Sequence, residues 1–124
     1  MEFKIDTKDT FTIITPITDK INANLTGPLQ EKCIQTRQSG SNNLIINLQH
    51  CVEIDKTTVP QLIKMHEDSY SREQSLVFTQ VNEKVMAILK EDETDLLINI
   101  APRMDEAIDI ISMEILERDL FSEE

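Results

Sequence analysis

Three short apolar runs, Leu44-Ile45-Ile46-Asn47-Leu48, Ser75-Leu76-Val77-Phe78-Thr79 and Leu96-Leu97-Ile98-Asn99-Ile100, are each followed by a segment of helical periodicity. Runs of this length, rich in β-branched residues, read as strands rather than helices. Strands that alternate with helices join by right-handed crossovers and lie parallel in one sheet. The first run is apolar at nearly every position and is expected to be a central strand, covered on both faces. Behind it, Val59, Leu62, Ile63 and His66 form a helical stripe with Tyr70 one turn on, and Pro60 suits that helix's first turn. Val81, Val85, Ile88 and Leu89 form the next stripe. Pro102 closes the last run, and Met104 to Phe121 places Met104, Ala107, Ile108, Ile111 and Ile115 on one side. Leu116 lies at the margin of that face, with Glu106, Asp109 and Glu117 largely opposite, so the segment is an amphipathic helix.

Upstream, Phe3 to Ile5 and Phe11 to Thr15 flank a polar stretch and are expected to form a hairpin, ended by Pro16. Leu25, Leu29 and Cys33 recur every four residues, which predicts a helix starting near Thr26-Gly27-Pro28 and stopping before Gly40. The order is ββαβαβαβα. With 124 residues, no repeat and no linker, the chain is expected to be one α/β domain, 1–124, with helices packed on a mixed, mainly parallel sheet.

Composition narrows the function. Lys and Arg total 12 against 23 Asp and Glu, a net charge of −11, so nucleic acid and anionic lipid surfaces would be repelled. The apolar runs fall far short of the roughly 20 residues of a membrane span. Met1 to Asp6 lacks a positive region followed by an apolar stretch, and the expected location is the cytoplasm. Cys33 and Cys51 are widely spaced within apolar patterns and read as buried thiols. The chain has two glycines, Gly27 and Gly40, so no glycine-rich loop is available to cradle a phosphate. His50 and His66 belong to no metal-ligand spacing, no GxSxG elbow is present, and acidic pairs such as Asp105-Glu106 read as solvated surface charge. No enzyme, metal or cofactor is expected.

Taken in order, these segments resemble the STAS domain, the family of bacterial anti-sigma factor antagonists. Asn43-Leu44-Ile45-Ile46-Asn47-Leu48, then Val52-Glu53-Ile54-Asp55, is similar to the family's central strand and to the Asp that opens its loop. The Val59 to Tyr70 helix, the Val77 to Leu89 strand and helix, and Glu106-Ala107-Ile108 opening the last helix are similar to family segments too. The resemblance implies a binding module that docks a protein partner, such as a serine-kinase anti-sigma factor, through the loop and the helix after it. In the family that loop reads Asp-Ser-Ser-Gly, and the serine after the Asp is phosphorylated. Here the four positions are Asp55, Lys56, Thr57 and Thr58, so the usual acceptor is a lysine. Two readings of the remaining hydroxyls stand: Thr57 or Thr58 is the phosphate acceptor, or one of them caps the following helix. The family also carries an acidic residue near this loop in space, for which Asp19 and Asn22 are the candidates. The alternative function is that of a STAS-like accessory subunit of a transport system. Exposure of Ile111, Ile115 or Phe121 would favour a homodimer.

Overall fold

The computed structural model describes residues 1–122. A five-stranded sheet forms its centre, in the order β1 (Phe3–Thr7), β2 (Thr12–Pro16), β4 (Leu44–Asn47), β6 (Leu76–Thr79), β7 (Ile100–Ala101). β1 is antiparallel to β2, as expected of the hairpin, and every other pair is parallel. Alternation along the strands divides the core in two. Ile14, Leu44, Ile46, Leu76 and Phe78 pack with α1 (Ala23–Gln38), α2 (Val59–Ser71) and α3 (Glu83–Glu91). Ile13, Ile45, Val77 and Ala101 pack with Ala107 and Ile111 of α4 (Met104–Ser122). All four residues of β4 are buried, as a doubly covered central strand requires. Cys33 and Cys51 are buried free thiols, and burial pushes both up to about 11.

Three sequence expectations change. First, α1 begins at Ala23, upstream of Thr26-Gly27-Pro28. The Asn22 carbonyl accepts from the N–H of Leu25 and of Thr26, both at 3.0 Å, and burial of Leu25 fixes this earlier turn. Pro28 then lies inside the helix, at an exposed position. At the other end, Gly40 adopts a φ of 105°, where a side chain would be strained, and Ser41 N–H turns back onto the Thr36 carbonyl at 3.2 Å. Second, the Leu96 to Ile100 run is not one strand. Glu93 takes a left-handed φ of 56°, a 3₁₀ turn covers Thr94–Leu96, and only Ile100–Ala101 forms a strand. The buried Thr94 carbonyl accepts from the N–H of Leu97 and of Ile98, which closes the turn and leaves Leu96 75% exposed.

Third, two further strands of two residues each, β3 (Lys20–Ile21) and β5 (Glu53–Ile54), pair in parallel as a separate ribbon. On α4, Ile111 is fully buried and Ile115 packs against the sheet, whereas Phe121 is exposed. No described helix is long and apolar enough to cross a membrane.

Candidate functional site

The ribbon explains how the Asp55 loop is held. Chain leaving β4 passes the buried Cys51 and enters β5, where it pairs with the segment ahead of α1. Val52 N–H donates to the Asp19 carbonyl and Asp55 N–H to the Ile21 carbonyl, each at 2.8 Å. Ile21 is fully buried, so the ribbon is anchored to the core while Asp55 stands at its exposed end.

Asp55 organises the three residues that follow. Its Oδ1 accepts from the Thr57 backbone N–H at 3.0 Å and from the Thr57 hydroxyl at 2.8 Å. Its carbonyl accepts from the Thr58 N–H at 2.9 Å and from the Thr58 hydroxyl at 2.6 Å. These bonds wind Lys56–Thr58 into a 3₁₀ turn that runs directly into α2, with Pro60 in the first turn, where its missing N–H costs nothing. The cap of this helical stretch is therefore Asp55, and neither Thr57 nor Thr58 caps α2 through its side chain. The two threonines differ in access: Thr57 is exposed, whereas Thr58 is 3% exposed with its hydroxyl bonded beneath the loop.

Hydrogen bonds from the Thr57 hydroxyl and N–H hold the Asp55 carboxyl below its ordinary value of 3.8. A depressed carboxylate stabilises the turn above that value, and the contribution is lost as pH falls through the lowered folded value. Asp55→Ala is accordingly expected to speed amide exchange of Thr57 and Thr58 several-fold while the exchange of β4 and β6 amides stays unchanged. Equal acceleration throughout the chain would show that Asp55 supports the whole fold rather than the loop.

Lys56 points away from this turn. Its Nζ lies 3.0 Å from Glu91 Oε2 and 3.4 Å from Asp92 Oδ2 at the end of α3, and these carboxylates raise its pKa. The loop is thus tied to α3 by an exposed ion pair of the kind that salt weakens. Two depressions flank it. A cleft of about 300 Å³ is lined by Lys20, Ile21, Asn22, Glu53, Ile54 and Asp55. A more apolar groove of about 440 Å³ lies between β5 and α3, lined by Val52, Glu53, Ile54, Lys84, Ala87 and Ile88. Asn22 shares the first cleft with Asp55, and Asp19 contributes its carbonyl to the ribbon, so both residues singled out upstream of α1 sit beside the loop.

A polar cluster that sequence reasoning missed closes the opposite end of the sheet. There β7 is too short to separate the two faces, and Glu114 of α4 meets Tyr70 of α2. Glu114 Oε1 accepts from the Tyr70 and Ser75 hydroxyls, each at 2.6 Å, and Oε2 from Asn99 Nδ2 at 3.4 Å. Arg118 donates to Asn43 Oδ1 at 3.0 Å and to the Ser75 hydroxyl at 3.1 Å. His66 Nε2 accepts the Asn99 backbone N–H at 3.0 Å, so this nitrogen carries no proton, and burial lowers the imidazole's pKa. These groups bond to one another and form a structural clasp. His50 is exposed on the loop after β4, far in sequence from His66, and the two histidines share no ligand set.

The architecture matches that of several solved structures. A Thermotoga maritima protein assigned as an anti-sigma factor antagonist superposes with a TM-score of 0.74 at 17% identity, over 89% of this chain and 94% of that one. RsbS of Moorella thermoacetica, solved as a point variant, gives 0.71 at 16% identity over 95% and 99%. The anti-sigma factor antagonist SpoIIAA in its unphosphorylated form gives 0.68 at 12% identity over 90% and 96%, and the Bacillus protein has also been solved phosphorylated. No family model matches the chain, and no curated protein matches its sequence. At these identities the likeness establishes the fold: an α/β domain of the STAS type, built like the anti-sigma factor antagonists.

Proposed function

We propose that the chain, 1–124, is a non-enzymatic regulatory module of the cytoplasm that docks a protein partner through the Asp55-Thr58 loop and the start of α2. The observation that carries this reading is the loop itself. Asp55, Lys56 and Thr57 are exposed on a turn fixed by ribbon and cap, between a polar cleft and an apolar groove, on a fold shared with anti-sigma factor antagonists. A preformed surface of this kind loses little conformational freedom on binding. A serine-kinase anti-sigma factor is the partner that best suits it.

The loop is a degenerate phosphorylation site. Lys56 occupies the position of the usual acceptor and offers no hydroxyl. Thr58 is buried, which leaves Thr57 as the acceptor within the loop. Transfer of the γ-phosphoryl group from the partner's ATP to Thr57 Oγ1 would form the Oγ1–P bond as the bond to ADP breaks, releasing ADP and the hydroxyl proton now donated to Asp55. It would also set about −1.5 to −2 charges beside that carboxylate. Repulsion from Asp55 and attraction to Lys56 would then draw Lys56 away from Glu91 and Asp92, so that phosphate loosens the loop from α3.

Peptide mass analysis of the protein purified from its native host, during growth and under stress, tests this switch. The expected result is a single phosphate on Thr57 and none on Thr58. An unmodified peptide in both conditions would contradict the switch, leave Lys56 holding one constitutive state, and favour the accessory subunit of a transport system.

A further inference from the structure

We propose that the outward face of α4 is a second docking surface, fitted to a basic amphipathic helix of another protein. α4 has two apolar faces where a surface helix needs one. The inner face, centred on Ala107 and Ile111, is used up against the sheet. On the outer face Met113, Leu116 and Leu120 follow at intervals of three and four residues and are 61%, 59% and 57% exposed. This is the spacing by which one helix receives the apolar edge of another. The stripe lies on the opposite side of the sheet from α1, α2 and α3, so it is separate from the Asp55 loop and does not depend on what binds there.

Charge selects the occupant. Glu106, Asp109 and Glu117 fall on the same side of the helix as Met113, and Asp105 and Asp119 lie further round it. The helix's own cation, Arg118, is turned inward to Asn43 and Ser75. Arg103, just ahead of the helix, is engaged by Asp105 at 3.0 Å and Glu106 at 3.2 Å. The apolar stripe is therefore rimmed by carboxylates. A second copy laid on it would bring carboxylates against carboxylates in a chain of net charge −11, and an anionic bilayer would be repelled equally. A helix with Leu-type residues on one edge and Lys or Arg on both flanks satisfies stripe and rim together.

The test uses the full chain and two synthetic 18-residue helical peptides with the same leucine edge, one flanked by lysines and one by glutamates, followed by fluorescence anisotropy. The lysine-flanked peptide is expected to bind saturably and the glutamate-flanked one not to bind. Leu116→Ser/Leu120→Ser is expected to weaken binding by about tenfold or more, as loss of about 1.4 kcal/mol or more would require. Asp109→Asn/Glu117→Gln is expected to weaken it at low salt and Asp55→Ala to leave it unchanged. Both pairs are exposed, and melting curves matching the parent chain verify their folding. Equal binding of the lysine peptide to parent and Leu116→Ser/Leu120→Ser would reduce the effect to bulk charge and overturn the proposal. So would absence of binding, or a concentration-dependent dimer in sedimentation that the leucine substitutions dissolve.

Discussion

Replacing Phe78 by alanine is expected to destabilise the fold by about 3–5 kcal/mol, whereas Leu96→Ala changes it by less than about 0.5 kcal/mol. Phe78 is 1% exposed in the middle of β6, in register between Ile46 of β4 and Ile100 of β7. Its ring fills the space under α2 and α3 that Leu62, Val85 and Leu89 also line, so truncation leaves a cavity no neighbouring strand can close. A domain of this size holds about 5–15 kcal/mol in all, and the loss takes a large part of it. The melting temperature is expected to fall by about 10–20 °C. Leu96, of similar hydrophobicity, is 75% exposed on the 3₁₀ turn and has little burial to lose. Thermal or urea unfolding of the two variants checks both statements. A large loss at Leu96 would place it back in a buried strand and contradict the turn.

The second large effect belongs to Glu114. Glu114→Ala removes the acceptor of the Tyr70 and Ser75 hydroxyls. A loss of about 2–3 kcal/mol is expected, since two hydroxyls already withdrawn from water lose their carboxylate acceptor. Tyr70→Phe, which deletes a single donor from the same cluster, is expected to cost about 1 kcal/mol. His66 adds a pH signature. Burial holds its pKa below the ordinary 6.5, with Glu114 acting in the opposite direction. A histidine that is more readily protonated when unfolded stabilises the fold above 6.5, and that contribution falls as pH drops from there to the folded value. Urea midpoints of the parent chain should decline between pH 7.5 and pH 5.5, and His66→Gln should flatten part of the decline. An unchanged slope would mean that Nε2 is not held as the acceptor of the Asn99 N–H.

How far these features were legible in the sequence depends on the range over which they are encoded. β4 and β6 are short and mostly apolar, so both stand out locally, and the buried stripe Leu25, Leu29, Cys33 marks α1 wherever it starts. The Leu96 run misleads because composition does not reveal a left-handed Glu93. That residue turns the chain into a 3₁₀ turn and moves the strand to Ile100. The β3 and β5 ribbon has two residues per strand, too few for any period, and exists only because the segments after β2 and β4 run side by side. Asp55 could be picked out as the start of the loop, but its role as cap, the burial of Thr58 and the reach of Lys56 to Glu91 depend on that ribbon and on α3. The Glu114 cluster draws on residues from 43 to 118, and no local pattern connects Asn43 to Arg118.

Docking through the Asp55 loop is tested most directly by photocrosslinking in the native host. A photoreactive side chain at Gln61, exposed on α2 just beyond the loop, is compared with one at Asn42, exposed at the other end of β4. The expected result is a discrete adduct with one partner protein from position 61, reduced by Asp55→Ala and absent from position 42. No adduct at position 61, or the same adducts from both positions, would contradict docking at this loop.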